Sequence, residues 1–354
     1  MRIVITGASG NVGTALLRRL QQERSARHGT ERPNTDGPGE LELAGIGRRT
    51  PDLTVAPYSG VEWHALDIAD DDGGQLRAAL AGADAVVHLA WILQPNRDEA
   101  VLHRTNVTGT ANVLRAAREA GVRHVVCASS MGAYSRSGKE TRRHEDWPVT
   151  GIQESHYSRH KAEQEALLDR FAAENPGITV SRLRPALSFQ AEAGSEIGRY
   201  FLGRLIPRLL PRNPSLPIIP LPRGLAFQAV HADDLADAYW RVLDRRAAGA
   251  FNIAAEPVIG PVELARIFHA KRWLPVPFPL VRAAVDLSWR LHLQPTDAGW
   301  IAMAEGAPVM DTSRAREVLG WEPHTSSVDA IREVIDGLTG GRGTAGSPLL
   351  QPRL

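Results

Sequence analysis

The stretch Met1-Arg-Ile-Val-Ile-Thr-Gly-Ala-Ser-Gly-Asn-Val-Gly13, running on through Thr14 to Gln22, decides how the chain folds. Ile3, Val4 and Ile5 form a short β-branched run, the pattern of a strand buried on both faces. Thr6 to Gly13 is a glycine-rich turn. Beyond it, Val12, Ala15, Leu16 and Leu20 recur at helical spacing. A strand, a glycine turn and a helix in that order build an anion site, because free N–H groups and the helix dipole attract a pyrophosphate. Glycine is needed where a Cβ would block the tight turn or the approach of the phosphates. The spacing is G-x-x-G-x-x-G (Gly7, Gly10, Gly13), not the commoner G-x-G-x-x-G, so by itself it also fits a turn in some other α/β protein.

The chain of 354 residues is long enough for one large or two modest domains. A formal net charge of +1 gives no bulk field for nucleic acid or an anionic membrane. The single cysteine, Cys127, excludes an intramolecular disulfide and fits a reducing compartment. No apolar run reaches the ~18 residues of a membrane span, and a strand at the very start leaves no room for a signal peptide. The expectation is a soluble, cytoplasmic protein without nucleic-acid or membrane partners.

Residues 41–46 read as a second strand and 61–66 as a third. A short helix over 76–80 precedes a strand over 85–90. A long helix over 99–120, a strand over 125–129, a helix over 157–174 and a strand over 180–183 follow. Strands alternating with helices at this rhythm predict a parallel, doubly wound sheet whose ligand lies at the carboxyl ends of the strands. Polar residues 23–40 read as a mobile insertion. Residues 186–225, rich in proline and arginine, read with 258–338 as a smaller, mostly helical cap. The doubly wound part comprises 1–185 and 226–257, and 339–354 read as a flexible tail.

Two features carry chemistry. The second strand ends in Gly47-Arg48-Arg49 with no acid at its tip, which favours the 2′-phosphate of NADP(H) over NAD(H); solvated arginines are the alternative. Tyr157-Ser-Arg-His-Lys161 puts a phenol and an ammonium at i and i+4 on one helix face. A neighbouring cation favours phenolate, which predicts a lowered Tyr157 pKa suited to proton transfer. Lysine occurs only at positions 139, 161 and 271 in this arginine-rich chain, so Lys161 is a candidate for work that needs a compact ammonium. Ser130, at a strand end, can hydrogen-bond a carbonyl or alcohol, though serines also cap turns there.

Taken together, these segments resemble an extended short-chain dehydrogenase/reductase of the NAD-dependent epimerase/dehydratase family. Thr6 to Gly13 is similar to its nucleotide turn, with Gly7, Gly10, Asn11, Val12 and Gly13 as cofactor contacts. Asp67-Ile68 resembles its adenine contact, His88-Leu89-Ala90 its strand end beside the ribose, and Asn106 its structural asparagine. Ser129-Ser130 resembles its catalytic serine segment, Tyr157 and Lys161 its Y-x-x-x-K pair, and Arg184-Pro185 its segment over the nicotinamide. His231 to Ala236 and Asp311 to Trp321 resemble two later motifs.

The resemblance implies a Rossmann sheet and Tyr157 as general acid/base, with Lys161 lowering its pKa and Ser130 orienting the reacting oxygen. With Arg48 and Arg49, the expected cofactor contacts also include Asn106, Ser129, Tyr157, Lys161 and Pro185, and Ser130 and Met131 are expected at the substrate; Trp91, directly after Ala90, either lines the substrate pocket or packs as a core tryptophan. The resemblance also implies a homodimer through the helices over 99–120 and 157–174. Met131-Gly132 stand where sugar-nucleotide dehydratases carry acidic residues, which disfavours dehydration. The segment 227–230 lacks the arginine usual in nucleotide-sugar members; Arg204, Arg208, Arg212 and Arg223 are the other candidates for clamping a diphosphate. No metal-ligand spacing is present, so no metal is expected. The expected activity is hydride transfer between a nicotinamide and a secondary alcohol or ketone of a small metabolite. The alternatives are an NAD-dependent sugar-nucleotide epimerase and a non-catalytic nucleotide-sensing or assembly protein.

Overall fold

A computed structural model of the protein describes residues 1–28, 40–70, 74–94, 97–202 and 217–351. Seven parallel strands form the central sheet: β1 (Arg2–Thr6), β2 (Glu42–Gly47), β3 (Glu62–Ala65), β4 (Ala85–His88), β5 (His124–Ala128), β6 (Thr179–Pro185) and β7 (Gly249–Ile253). Their order is β7-β6-β5-β4-β1-β2-β3. The direction of progression reverses between β1 and β4, and the crevice at that reversal is where doubly wound sheets bind ligands.

The β-branched runs explain the two-sided burial. Ile3 and Ile5 face a layer that contains Leu16 and Leu20 of helix α1 (Asn11–His28) and Leu235 and Tyr239 of the helix Ala232–Arg245. Val4 between them faces the opposite layer, with Val113, Leu114, Leu168 and Phe171. Alternation along one strand thus feeds two cores, as expected for a parallel sheet covered on both sides.

Three stretches differ from the sequence reading. Helix α1 continues to His28, so residues 23–28 of the expected insertion are helical, and an ion pair of 2.6 Å between Arg19 and Glu23 supports that turn. Residues 29–39 lie outside the described residues, as do Arg204, Arg208 and Arg212. The short helix expected over 76–80 is α2 (Gln75–Ala79), whereas the helix expected over 99–120 is α3 (Glu99–His103) and α4 (Gly109–Glu119) joined by a π-turn, Arg104–Thr108. Such π-turns insert one extra residue into a helix and turn side chains to new directions.

The third difference is the expected flexible tail. The last helix spans Ser327–Gly340, and the chain beyond it packs on the molecule, with Leu350 fully buried. Glycine and proline there shape a folded-back turn rather than a loose end. Gly346, at φ +78°, is held where a Cβ would come within 2.6 Å of Val55.

Over the strand ends lie the helices Pro261–Ile267, Phe278–Arg290 and Ala298–Gly306 and a parallel strand pair, Ile218–Pro222 with Arg272–Val276. Among the described residues, no helix is long and apolar enough to cross a membrane.

Candidate active site

The glycine turn is tight for reasons visible atom by atom. Gly7 has φ +70°, and a Cβ on it would lie 2.8 Å from the Ala90 backbone; one on Gly13 would lie 2.4 Å from the Gly7 carbonyl. The first packs the turn against the end of β4, and the third lets helix α1 start directly over β1. Helix α1 has no acidic residue in its first turn, so nothing opposes an anion at its positive end.

Behind the turn a directed hydrogen-bond chain fixes the ends of β1 and β4. The Thr110 hydroxyl donates to Asn106 O, so its oxygen accepts from His88 Nε2 at 2.9 Å; His88 Nδ1 then accepts from the Thr6 hydroxyl at 2.7 Å. Thr6 Oγ1 in turn accepts from the Ala90 amide. This network assigns the neutral Nε2–H tautomer, and burial agrees, pushing His88 down to about 3.

Arg48, Arg49, Asp67, Ile68, Ala90 and Trp91 line one continuous cleft with Gly7 and Ser9. Asp67 Oδ1 accepts from the Ala69 amide, which shapes the turn after β3. Of the other expected cofactor residues, Val12 and Leu89 turn partly into the core, and Pro185 closes β6. Asn11 Nδ2 donates to Ser188 O, tying the turn to the first cap segment. Asn106 does not face the cleft: its amide exchanges two hydrogen bonds with the Ile92 backbone, at 2.8 and 2.9 Å. It therefore positions the segment that carries Trp91, and the expected cofactor contact is corrected to that role.

Tyr157 and Lys161 lie on helix α5 (His156–Glu174). Ser155 caps its start, and Ser158 ties it to the loop after β5, accepting from Ile152 N at 2.7 Å and donating to Gly132 O. That loop carries Ser130, whose oxygen accepts from the Gly132 amide at 3.0 Å. Gly132 lies flush against the phenol ring: a Cβ there would come within 2.9 Å of it. Burial pushes the Tyr157 phenol up to about 12, and a hydrogen bond with Ser130 pulls in the other direction.

This corrects the expected lowered value. Lys161 spends its donors on Ala128 O (2.7 Å) and Gln164 Oε1 (3.0 Å), and its ammonium lies 3.5 Å from the centre of the Trp91 ring. Burial takes Lys161 down to about 7, with Cys127 and Glu165 acting to raise it.

Ser129, expected at the cofactor, instead donates its hydroxyl to Glu165. Glu165 also binds Arg182 at 2.8 Å and Arg184 through both of its oxygens. Burial works against this carboxylate, yet Arg184, Arg182 and Ser129 hold it down at about 2. Arg184 further donates to Tyr134 Oη and Glu145 O, so it is a buried strut under the site. Extending the i, i+4 series from Tyr157 through Lys161 to position 165 would have found this carboxylate.

Aromatic rings close the site. Trp91 meets Tyr157 edge-on at 5.9 Å, Trp300 lies 5.0 Å from Tyr157 on another side, and Phe201 meets Trp300 at 4.8 Å. Met131 is buried in the same cluster, beside Met303. Trp300 and Phe201 carried no signal in the sequence, being lone aromatics in an irregular cap. Pro348 and Leu349, also unforeseen, line the cleft on the side of the glycine turn. Among the described residues, no group of three or more His, Cys, Asp or Glu side chains could hold a metal ion.

Comparison with known proteins agrees with this geometry. The family model of the NAD dependent epimerase/dehydratase family matches residues 3–254. An uncharacterized protein of Mycobacterium tuberculosis is 26% identical over 340 residues, which are 94% of this chain and 29% of that protein; the chain thus spans under a third of that relative's length. A putative dihydroflavonol 4-reductase of Synechocystis is 25% identical over 350 residues, covering 94% of this chain and 92% of that one. Among solved structures, the dTDP-glucose 4,6-dehydratase of Streptomyces venezuelae, determined with NAD bound, superposes with a TM-score of 0.68 at 21% identity, over 99% of this chain and 100% of that one. The chain belongs to the NAD-dependent epimerase/dehydratase family.

Proposed function

We propose that the chain is a nicotinamide-dependent reductase of a small ketone, run in reverse as a dehydrogenase of the secondary alcohol. The observation that carries this reading is the placement of the Tyr157 phenol, partly buried against Trp91 and Trp300 and flush with the loop that carries Ser130, where burial favours its protonated form. A protonated phenol is the form that gives a proton to a carbonyl oxygen as it gains charge.

The residues present fit a dinucleotide. A Cβ would fill the space under the turn at Gly7 and Gly13, and the start of helix α1 is free of acids. Gly7, Gly10, Asn11 and Gly13 would hold the pyrophosphate, and Asp67 and Ile68 the adenine. Arg48 and Arg49, exposed at the end of β2, favour NADP(H), with NAD(H) the alternative. A bound nicotinamide would supply hydride exchange at its C4 carbon.

The protein's part is orientation and proton transfer. Ser130 would orient the reacting oxygen, Tyr157 would give it a proton, and Lys161, once Trp91 yields its face, would hold the ribose hydroxyls. Trp91, Trp300 and Phe201 would exclude water and enclose the substrate. Rings and methionines around the phenol suit a substrate with an apolar face better than a hexose, whose hydroxyls each need a hydrogen-bond partner. Gly132 leaves no room beside the phenol for a second acid, which argues against dehydration. Residues 1–185 with 226–257 would form the nucleotide half and 186–225 with 258–338 the substrate half, two chains pairing through α3/α4 and α5.

Native mass spectrometry of the purified protein, followed by turnover, tests the reading. A reductase binds NADPH or NADH exchangeably and consumes it against a ketone. Firmly retained NAD, no net consumption and interconversion of sugar-nucleotide epimers would replace this reading with epimerisation. Dinucleotide binding without any turnover, unchanged in Tyr157→Phe, would replace it with nucleotide sensing.

A further inference from the structure

The segment Gly346–Leu350, whose Pro348 and Leu349 line the cleft, is held at three places. The Ser347 hydroxyl donates to Ser9 O in the glycine turn at 2.9 Å and accepts from the amides of Leu349 and Leu350, at 3.2 and 2.9 Å. On the side of β2, the Asp52 amide donates to Gly346 O at 3.0 Å. On the side of the cap, Arg199 donates to Leu349 O at 2.8 Å. Leu350 is fully buried, and Ser347 is 1% exposed.

One atom gives this strap its consequence. Leu349 Cδ1 lies 3.9 Å from the point where a Cβ of Gly10 would be. Gly10 is the member of the turn whose bare face has room, being crowded only by Gly7 O at 3.4 Å. A dinucleotide pyrophosphate needs that bare face and the N–H groups beside it. The Leu349 side chain is already there, and an aliphatic group offers a phosphate neither charge nor donor.

We infer that Gly346–Leu350 is a self-blocking strap over the pyrophosphate site, which a nicotinamide dinucleotide must displace in order to bind. The inference rests on the dinucleotide reading above. The strap's own hydrogen bonds then set a conformational cost on binding: apparent affinity falls by the fraction of molecules with the strap open. Ser347 is its latch, since one hydroxyl makes three of the bonds. Arg199 is freed when the strap leaves and is then available to the phosphates it had been kept from.

Calorimetric titration of the full chain, of Ser347→Ala and of Leu349→Ala with NADP+ and with NAD+ tests this, together with hydrogen exchange at residues 347–351. The expected results are affinity about tenfold tighter in both variants and faster strap exchange when dinucleotide is added to the full chain. Because removal of the segment exposes apolar surface, the single substitutions are decisive and a chain ending at Gly341 is an additional variant. Unchanged or weaker affinity in folded variants, or slower strap exchange with dinucleotide, overturns the strap and makes the segment a wall of the loaded site. Binding of neither dinucleotide to any form overturns the dinucleotide reading itself, and the strap with it.

Discussion

The ammonium of Lys161 lies 3.5 Å from the centre of the Trp91 indole ring. The ring both attracts the cation and keeps water from it, and burial sets the Lys161 value near 7. Trp91 itself is aimed by Asn106 through the Ile92 backbone.

Removing that cover should change a titration before it changes the fold. In Trp91→Ala, water reaches Lys161 and its value rises from about 7 toward the ordinary lysine value of 10.5. The alkaline limb of the kcat/KM profile should therefore move to higher pH, while Trp91→Phe, which keeps a ring, moves it less. Identical profiles in all three proteins would remove the role given to the indole.

Tyr157→Phe keeps the ring contacts with Trp91 and Trp300 and removes only the hydroxyl. Turnover should fall by about 10²–10⁴-fold, with dinucleotide affinity unchanged in a binding titration. A loss of binding equal to the loss of turnover would indicate damage to the site rather than loss of a proton donor.

Gly132→Ala places a methyl group 2.9 Å from the Tyr157 ring and 3.0 Å from Met303 Sδ. The ring must give way, and a displacement of this size should lower kcat by about 10²-fold. The melting temperature should drop only a few degrees, since the change sits at the site and not in either sheet core; steady-state kinetics beside a thermal melt separates the two.

Glu165, 2% exposed, is the shared partner of Arg182, Arg184 and Ser129. Glu165→Gln leaves the Arg184 guanidinium without its carboxylate, Arg182 keeping Asp169 at 2.6 Å, and should cost about 3–5 kcal/mol in denaturant unfolding. Its folded value of about 2 lies below the ordinary 4.5. The stability it contributes is therefore fully present above about pH 4.5 and is lost as pH falls through about 2. Wild type should lose stability across that window more steeply than the variant.

The sheet was legible from the chain because its signals are local. The Ile3–Ile5 run, the turn at Gly7 to Gly13 and the Tyr157–Lys161 spacing each lie within a few residues. Contacts made across the chain were not legible. Trp300 reaches Tyr157 from the cap, 143 residues away in sequence, Phe201 packs on Trp300 from a further segment, and no periodicity links them. The direction of the Tyr157 shift is not legible there, because spacing places two side chains on one face without saying where an ammonium spends its hydrogen bonds. Residues 339–354 looked loose by composition, since glycine and proline mark a tight folded turn as readily as a disordered one. The single hydroxyl of Ser347 holds that turn on Ser9, 338 positions earlier.

The most direct test of the account follows one hydrogen atom. NADPH or NADH carrying deuterium at both C4 positions is offered with apolar ketones to wild type and to Tyr157→Phe, and the alcohol is examined for deuterium at the carbinol carbon. The wild type should transfer the label to the carbinol carbon, and the variant should transfer it slower by about 10²-fold or more. Alcohol free of deuterium, or a variant as fast as the wild type, would contradict the account.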